Sequence, residues 1–254
     1  MSTFLLSSEK IETSITNATA YRIRYHSKDL NGKATESTGL VVTPSEHKEG
    51  RKVMSWAHGT TGMGDASSPS AQPDPARELT LYVESGSTTQ IDYGVPALQK
   101  FIDEGWIVVA TDYQGNGTPG IHQYTVNITN ALDAVYIVHA AREMDLGAGT
   151  KFGAIGWSQG GGTTIAAASM PDYIAKKGTA FDDIQPVGFV ALAPYDVAVT
   201  MPGAKLDQAI SEKMISELSA SFSDNVFNFA HFSMTLWGTQ AAFPNLKLTD
   251  LLTD

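Results

Sequence analysis

The residues best placed to do chemistry are Gly156-Trp157-Ser158-Gln159-Gly160, a serine with glycine two positions away on either side. The G-x-S-x-G pattern gains meaning from its setting: the apolar run 152–155 precedes it and the small, helix-compatible Thr163-Thr164-Ile165-Ala166-Ala167-Ala168 follows it, which together predict strand, turn and helix. In so sharp a turn the serine backbone is strained and its hydroxyl stands clear of the sheet, while side chains at 156 and 160 would collide. The new helix brings unpaired N–H groups and the positive end of its dipole next to that hydroxyl, where a developing oxyanion would be stabilised. Ser158 is therefore the expected nucleophile of an acyl transfer, and the Gln159 N–H the expected first oxyanion donor. The bland alternative is a glycine-rich loop that merely joins strand to helix.

A second stretch, Trp56-Ala57-His58-Gly59-Thr60-Thr61-Gly62, leaves directly from the apolar run 53–56. Gly59 lets the backbone approach closely, and the Thr60 N–H is the expected second donor, with the Thr60 hydroxyl as a helper. His58 is read as holding the shape of this loop rather than as a base. The competing reading is an ordinary tight connection.

Chemistry of this kind needs a rigid sheet beneath it. Residues 21–27 and 33–43 read as two antiparallel strands around Asn31-Gly32, a pair suited to the positive φ angles of a tight hairpin. The short apolar runs 53–56, 106–110, 152–155 and 187–192 read as buried parallel strands. Between them 128–144 is the clearest helix, with Leu132, Val135, Tyr136 and His139 on one face and Asn127 or Thr129 as a cap; 95–104 and 160–170 are weaker ones. Strands alternating with helices imply an α/β fold: a mostly parallel, doubly wound sheet with an antiparallel N-terminal edge and ligands at the carboxyl ends of its strands. From about residue 201 the pattern turns helical, over 206–218 and 222–243. Here Phe222, Val226, Phe227, Phe229, Phe232, Met234 and Trp237 offer either an acyl-chain surface or simply packed core.

Composition narrows the partners. The 254 residues are 42% hydrophobic and 17% charged, enough for a sizeable core. There is no cysteine, hence no disulfide and no thiolate metal site. A net charge of -10 disfavours nucleic acid and anionic lipid alike. No stretch reaches the ~18 apolar residues of a membrane span, and residues 1–10 lack the pattern of a signal peptide, so a soluble chain is expected. Nothing calls for a metal or an organic cofactor.

Taken together, these stretches resemble the secretory lipase family of α/β-hydrolases, which includes bacterial esterases and fungal lipase A. The resemblance covers about residues 25–254. It rests on 56–62, on Asp65-Ala66-Ser67-Ser68-Pro69-Ser70, on Val108-Val109-Ala110-Thr111-Asp112-Tyr113-Gln114-Gly115 with Gly117-Thr118-Pro119-Gly120, on Leu132-Asp133-Ala134, and on the serine turn with its trailing Gly161. It implies an α/β-hydrolase fold, with residues 1–200 as the N-terminal part of the core and 201–254 as the beginning of a helical cap or lid inserted after the sixth strand. It also implies cleavage of small-molecule or lipid esters through an acyl-enzyme on Ser158, and export of the parent protein. Asp112 is read as satisfying loop N–H groups rather than as a catalytic acid.

One departure matters. In this family, and in the fold generally, the order is serine, acid, histidine, with the last two on loops after later strands. Here His231 is the only histidine after Ser158, and it lies inside an apolar helical run. Asp196 is a weak candidate acid, while Asp224 and Asp250 read as a solvated cap face and a chain end. A nucleophile and an oxyanion hole are thus expected without an identified acid or base. Either the chain is an excerpt whose C-terminal strands are missing, or it is a relative that binds rather than cleaves. The intact serine turn favours the excerpt, because strain of that kind is costly without chemistry. An acyltransferase would use the same residues. Acyl-chain preference and oligomeric state stay open.

Overall fold

Short apolar runs form the centre of the sheet because their alternate residues have a hydrophobic partner on both faces. The computed structural model describes residues 3–79, 93–174, 180–194, 208–222 and 226–247. Seven strands are found: β1 (Leu5–Ile11), β2 (Ala18–Lys28), β3 (Ala34–Pro44), β4 (Arg51–Ala57), β5 (Ile107–Thr111), β6 (Ala148–Trp157) and β7 (Gln185–Leu192). The helices are α1 (Leu98–Asp103), α2 (Asn127–Arg142), α3 (Gln159–Ile174), α4 (Gln208–Phe222) and α5 (Val226–Ala242). One mixed sheet runs in the order β1-β2-β3-β5-β4-β6-β7. The pairs from β1 to β5 are antiparallel, and β5-β4-β6-β7 are parallel.

Alternation divides the core into two layers. On one face Val53, Ile107, Val109 and Phe152 pack with Val135, Ile137 and Val138 of α2; on the other Met54, Trp56, Val108 and Ala110 pack with Leu98 and Ile102 of α1. β4 sits between β5 and β6, and the connection leaving β4 leads toward β5 whereas that leaving β6 leads toward β7. Adjacent parallel strands whose connections diverge leave a crevice at their carboxyl ends. The two loops singled out from the sequence leave from these two strands.

One strand was missed and three expectations need correction. β1 carried no sequence signal, because five of its seven residues are exposed and nothing alternates. The β2–β3 turn is not a two-residue hairpin. Gly32 N–H donates to the Asp29 carbonyl (2.9 Å) and Asp29 N–H to the Lys33 carbonyl (3.0 Å), with Gly32 at φ 77° and Asn31 not left-handed. The longer loop is held by the Asp29 carboxylate, which accepts from the N–H groups of Asn31 and Lys33 (both 2.9 Å).

Helix α2 is buried from Thr129 to Ala141 on every side, so the single apolar face understates its environment. Neither Asn127 nor Thr129 caps it: Val126 is the N-cap, and Thr129 Oγ1 donates to Gln123 Oε1 (2.6 Å). Finally, β7 has no buried residue, and Val187, Val190 and Leu192 are exposed. Among the described residues it has a strand on one side only.

Candidate active site

Ser158 follows the last residue of β6 and precedes the first of α3, at φ 55°, in the left-handed region that costs a side-chain-bearing residue about 1–3 kcal/mol. Both flanking glycines are sterically required. A side chain at Gly156 would run into the backbone of Gly160, and one at Gly160 into the Ala57 carbonyl, with His58 O only 2.7 Å away. A Cβ at Gly161 would come within 2.7 Å of Pro194 Cα and 2.8 Å of Leu192 O.

The loop after β4 comes to this turn by register. Ala57 pairs with Gly156 across β4 and β6, so the residues that follow each strand emerge side by side. Gly59 lies on the face of Trp157, where a Cβ would come within 2.6 Å of the ring. Among the described residues neither the Thr60 N–H nor the Gln159 N–H has an acceptor, and Ser158 Oγ has no hydrogen-bond partner. Ser158 is half-buried and sits at the positive end of α3, next to the unengaged Gln159 N–H, and the Thr60 N–H is unengaged one residue beyond the Gly59–Trp157 contact.

Side-chain contacts brace both residues. Gln159 is buried and its Nε2 donates to His122 Nε2 (2.8 Å), while His122 Nδ1 donates to the Gln114 carbonyl (3.0 Å). Burial depresses the His122 pKa to about 3, so the ring is neutral, with the tautomer that these bonds require. Thr60 Oγ1 and the Tyr124 hydroxyl share a hydrogen bond of 2.7 Å. The rings of His58, Tyr113 and His122 lie in series, His58 tilted against Tyr113 at 4.5 Å and Tyr113 stacked on His122 at 5.6 Å. His58 is neutral through burial and its Nδ1 donates to the Gly59 carbonyl (2.6 Å), a loop-shaping bond.

Asp112 is likewise spoken for. Its carboxylate accepts from Thr38 Oγ1 (2.6 Å), Ser68 Oγ and the Ser70 N–H (both 2.8 Å), and Ser70 Oγ, tying 65–70 to β3 and the end of β5. His231 lies on α5, half-buried, its ring 6.4 Å from that of Tyr124. Asp196, Asp224 and Asp250 lie outside the described residues, as do the side chains of Phe222 and Phe227. On α5 Val226, Phe229 and Trp237 are exposed, whereas Phe232 and Met234 are half-buried.

His122 and Tyr124 were not singled out from the sequence, for they belong to a loop with no periodicity and their partners are 37 and 64 residues away. A cleft of about 710 Å³ opens elsewhere, between the β2–β3 turn, residues 119–123 and the end of α5; Ser158 is not among its walls. No group of His, Asp or Glu that could hold a metal occurs among the described residues. No described helix is long and apolar enough to cross a membrane.

The sheet order, the crevice and the serine turn define an α/β-hydrolase fold. Within that class the chain is similar to secretory lipases, whose family model matches residues 79–176. That stretch includes the serine turn and the Asp112 turn and is narrower than the resemblance drawn from motifs. Candida antarctica lipase A is 14% identical with a TM-score of 0.64, over 95% of this chain and 49% of that one. The rice cell wall degrading esterase LipA from Xanthomonas oryzae is 16% identical with a TM-score of 0.61, over 96% of this chain and 61% of that one. The chain thus spans about half the length of solved structures that it matches. No curated protein matches it significantly.

Proposed function

We propose that the protein is a serine hydrolase that cleaves carboxylic esters through an acyl-enzyme on Ser158. The observation that carries this reading is the strained Ser158 turn (φ 55°) at the head of α3, with the N–H groups of Gln159 and Thr60 unengaged. Ser158 Oγ attacks the ester carbonyl, its proton passes to a general base, and the oxyanion forms between the two N–H groups; collapse expels the alcohol, and water then releases the acid. The base and its acid partner are not identified among the described residues.

Residues 1–200 serve as the hydrolase core and 201–254 as the beginning of a cap. The similarity to secretory lipases supports a small-molecule or lipid ester as substrate and export from the cell. No cofactor takes part in this scheme.

The test is labelling of the full-length protein with a fluorophosphonate. A covalent adduct on Ser158, lost in Ser158→Ala, is the expected result. An adduct on another serine, or none with a folded protein, overturns the reading and leaves a binding protein on the same scaffold.

A further inference from the structure

Three consecutive residues reach three separate elements, two of them in the candidate site. His122 accepts from the side chain of Gln159 (2.8 Å), Gln123 Oε1 accepts from Thr129 near the start of α2 (2.6 Å), and the Tyr124 hydroxyl bonds Thr60 Oγ1 (2.7 Å). The segment is tightly folded and buried: Tyr124 N–H donates to the His122 carbonyl (2.8 Å), Thr125 is left-handed at φ 59°, and His122, Gln123 and Tyr124 are all buried. Each end of it therefore grips a residue whose backbone N–H is read as an oxyanion donor.

The same segment carries α5. Gly238 lies directly on the Tyr124 backbone, where a Cβ would come within 2.6 Å of its carbonyl oxygen and 2.9 Å of its Cα. About two helical turns away, the His231 ring meets the Tyr124 ring edge to face at 6.4 Å and 61°. The end of α5 is held separately, by Asn31 Nδ2 donating to the Ala242 carbonyl (3.0 Å). Gly238 is required for this close approach, since any larger residue would lift the helix from the segment.

We propose that His122 and Tyr124 are positioning residues, the two ends of a strap that sets both oxyanion donors and on which α5 docks. A shift of α5 would move Tyr124, then Thr60, and through the rigid 122–124 backbone the His122–Gln159 bond. The helical appendage and the oxyanion hole are in this way one mechanical unit. The proposal rests on reading Thr60 and Gln159 as oxyanion donors.

The experiment uses the full-length protein and two readouts: kcat and KM on a short-chain p-nitrophenyl ester, and the backbone amide resonances of Thr60 and Gln159 in ¹⁵N-labelled protein. Tyr124→Phe keeps the ring and removes the hydroxyl; it is expected to lower kcat about tenfold with KM within about twofold, and to move the Thr60 resonance. His122→Ala is expected to lower kcat similarly and move the Gln159 resonance, and His122→Gln, which can still accept from Gln159, to restore part of both. Gly238→Val is expected to move both resonances, although its nearest neighbours are Tyr124 backbone atoms.

If Ser158→Ala abolishes turnover while Tyr124→Phe and His122→Ala keep kcat within about twofold, the strap is refuted and the nucleophile stands. If Ser158→Ala retains turnover, the function is wrong and the resonances alone judge the strap. Unmoved Thr60 and Gln159 resonances in Gly238→Val refute the coupling.

Discussion

The Ser158 N–H donates to the Leu192 carbonyl at 3.0 Å, so the candidate nucleophile is tied to the end of β7 as well as to β6. This bond helps hold Ser158 at φ 55°. Glycine tolerates that conformation without steric cost, offset in part by its greater freedom in the unfolded chain. Ser158→Gly is expected to gain up to about 1 kcal/mol, read as a rise in Tm of about 2–4 °C, while all fluorophosphonate labelling is lost. A fall in Tm measured by calorimetry would show that the turn is unstrained.

Steric demand differs sharply between glycines. Gly160→Ala drives a methyl into the Ala57 carbonyl, which belongs to backbone and cannot swing aside; a loss of about 3 kcal/mol or more is expected in urea unfolding. Gly64, at φ -119° with open space around it, is the control, and its alanine variant is expected within about 0.5 kcal/mol of the parent. Equal effects at the two positions would contradict the packing described.

Burial pushes the Asp133 carboxyl up to about 7 from an ordinary 3.8, with Asp29 nearby adding to the rise and the Gln114 N–H, donating to Oδ2 at 2.8 Å, opposing it. The folded protein therefore holds this proton more tightly than the unfolded chain. The resulting stabilisation is fully present below pH 3.8 and is lost as pH rises through about 7. Asp133→Asn is isosteric and cannot ionise, so its Tm relative to the parent is expected to climb between pH 4 and 8, with a ceiling of ~1.4 kcal/mol per pH unit. A difference that does not change with pH counts against a buried protonated Asp133.

His231 meets Tyr124 and has no hydrogen bond to Ser158 Oγ. Replacing it with alanine is expected to leave the rate of Ser158 labelling in the full-length protein within about threefold, because loss of a general base costs far more, on the order of 10⁴ or above. A fall of that size would identify His231 as the base.

Much of the site was legible because its requirements are local. Glycines at 156 and 160, an apolar run before and small residues after are needed by one turn, and they are contiguous in the chain. β4 and β5 were equally plain, since strands buried on both faces read as unbroken apolar runs. β1 was not legible: it is exposed and is held by pairing with β2, which leaves no hydrophobic pattern. His122 and Tyr124 were hidden for a different reason, namely that their roles are set by where a loop without repeat folds back across the sheet. The place of β7 at the edge of the sheet among the described residues followed from the absence of a recognisable strand after 187–192, whereas its lack of any buried residue did not, because an apolar run alone does not say what covers it.

The bonds of Asp112 also bear on how the chain reaches this state. Its partners Thr38, Ser68 and Ser70 are 74, 44 and 42 residues away, so forming the cluster closes several long loops around one carboxylate. Loop closure carries an entropic cost that grows with loop length, and contacts of this span are not rewarded until the strands beside them are paired. The cluster is thus expected to form late, as a lock applied to a sheet already assembled. Locks of this type govern how long a molecule stays folded rather than how fast it folds: Asp112→Ala is expected to raise the unfolding rate and leave the refolding limb nearly untouched.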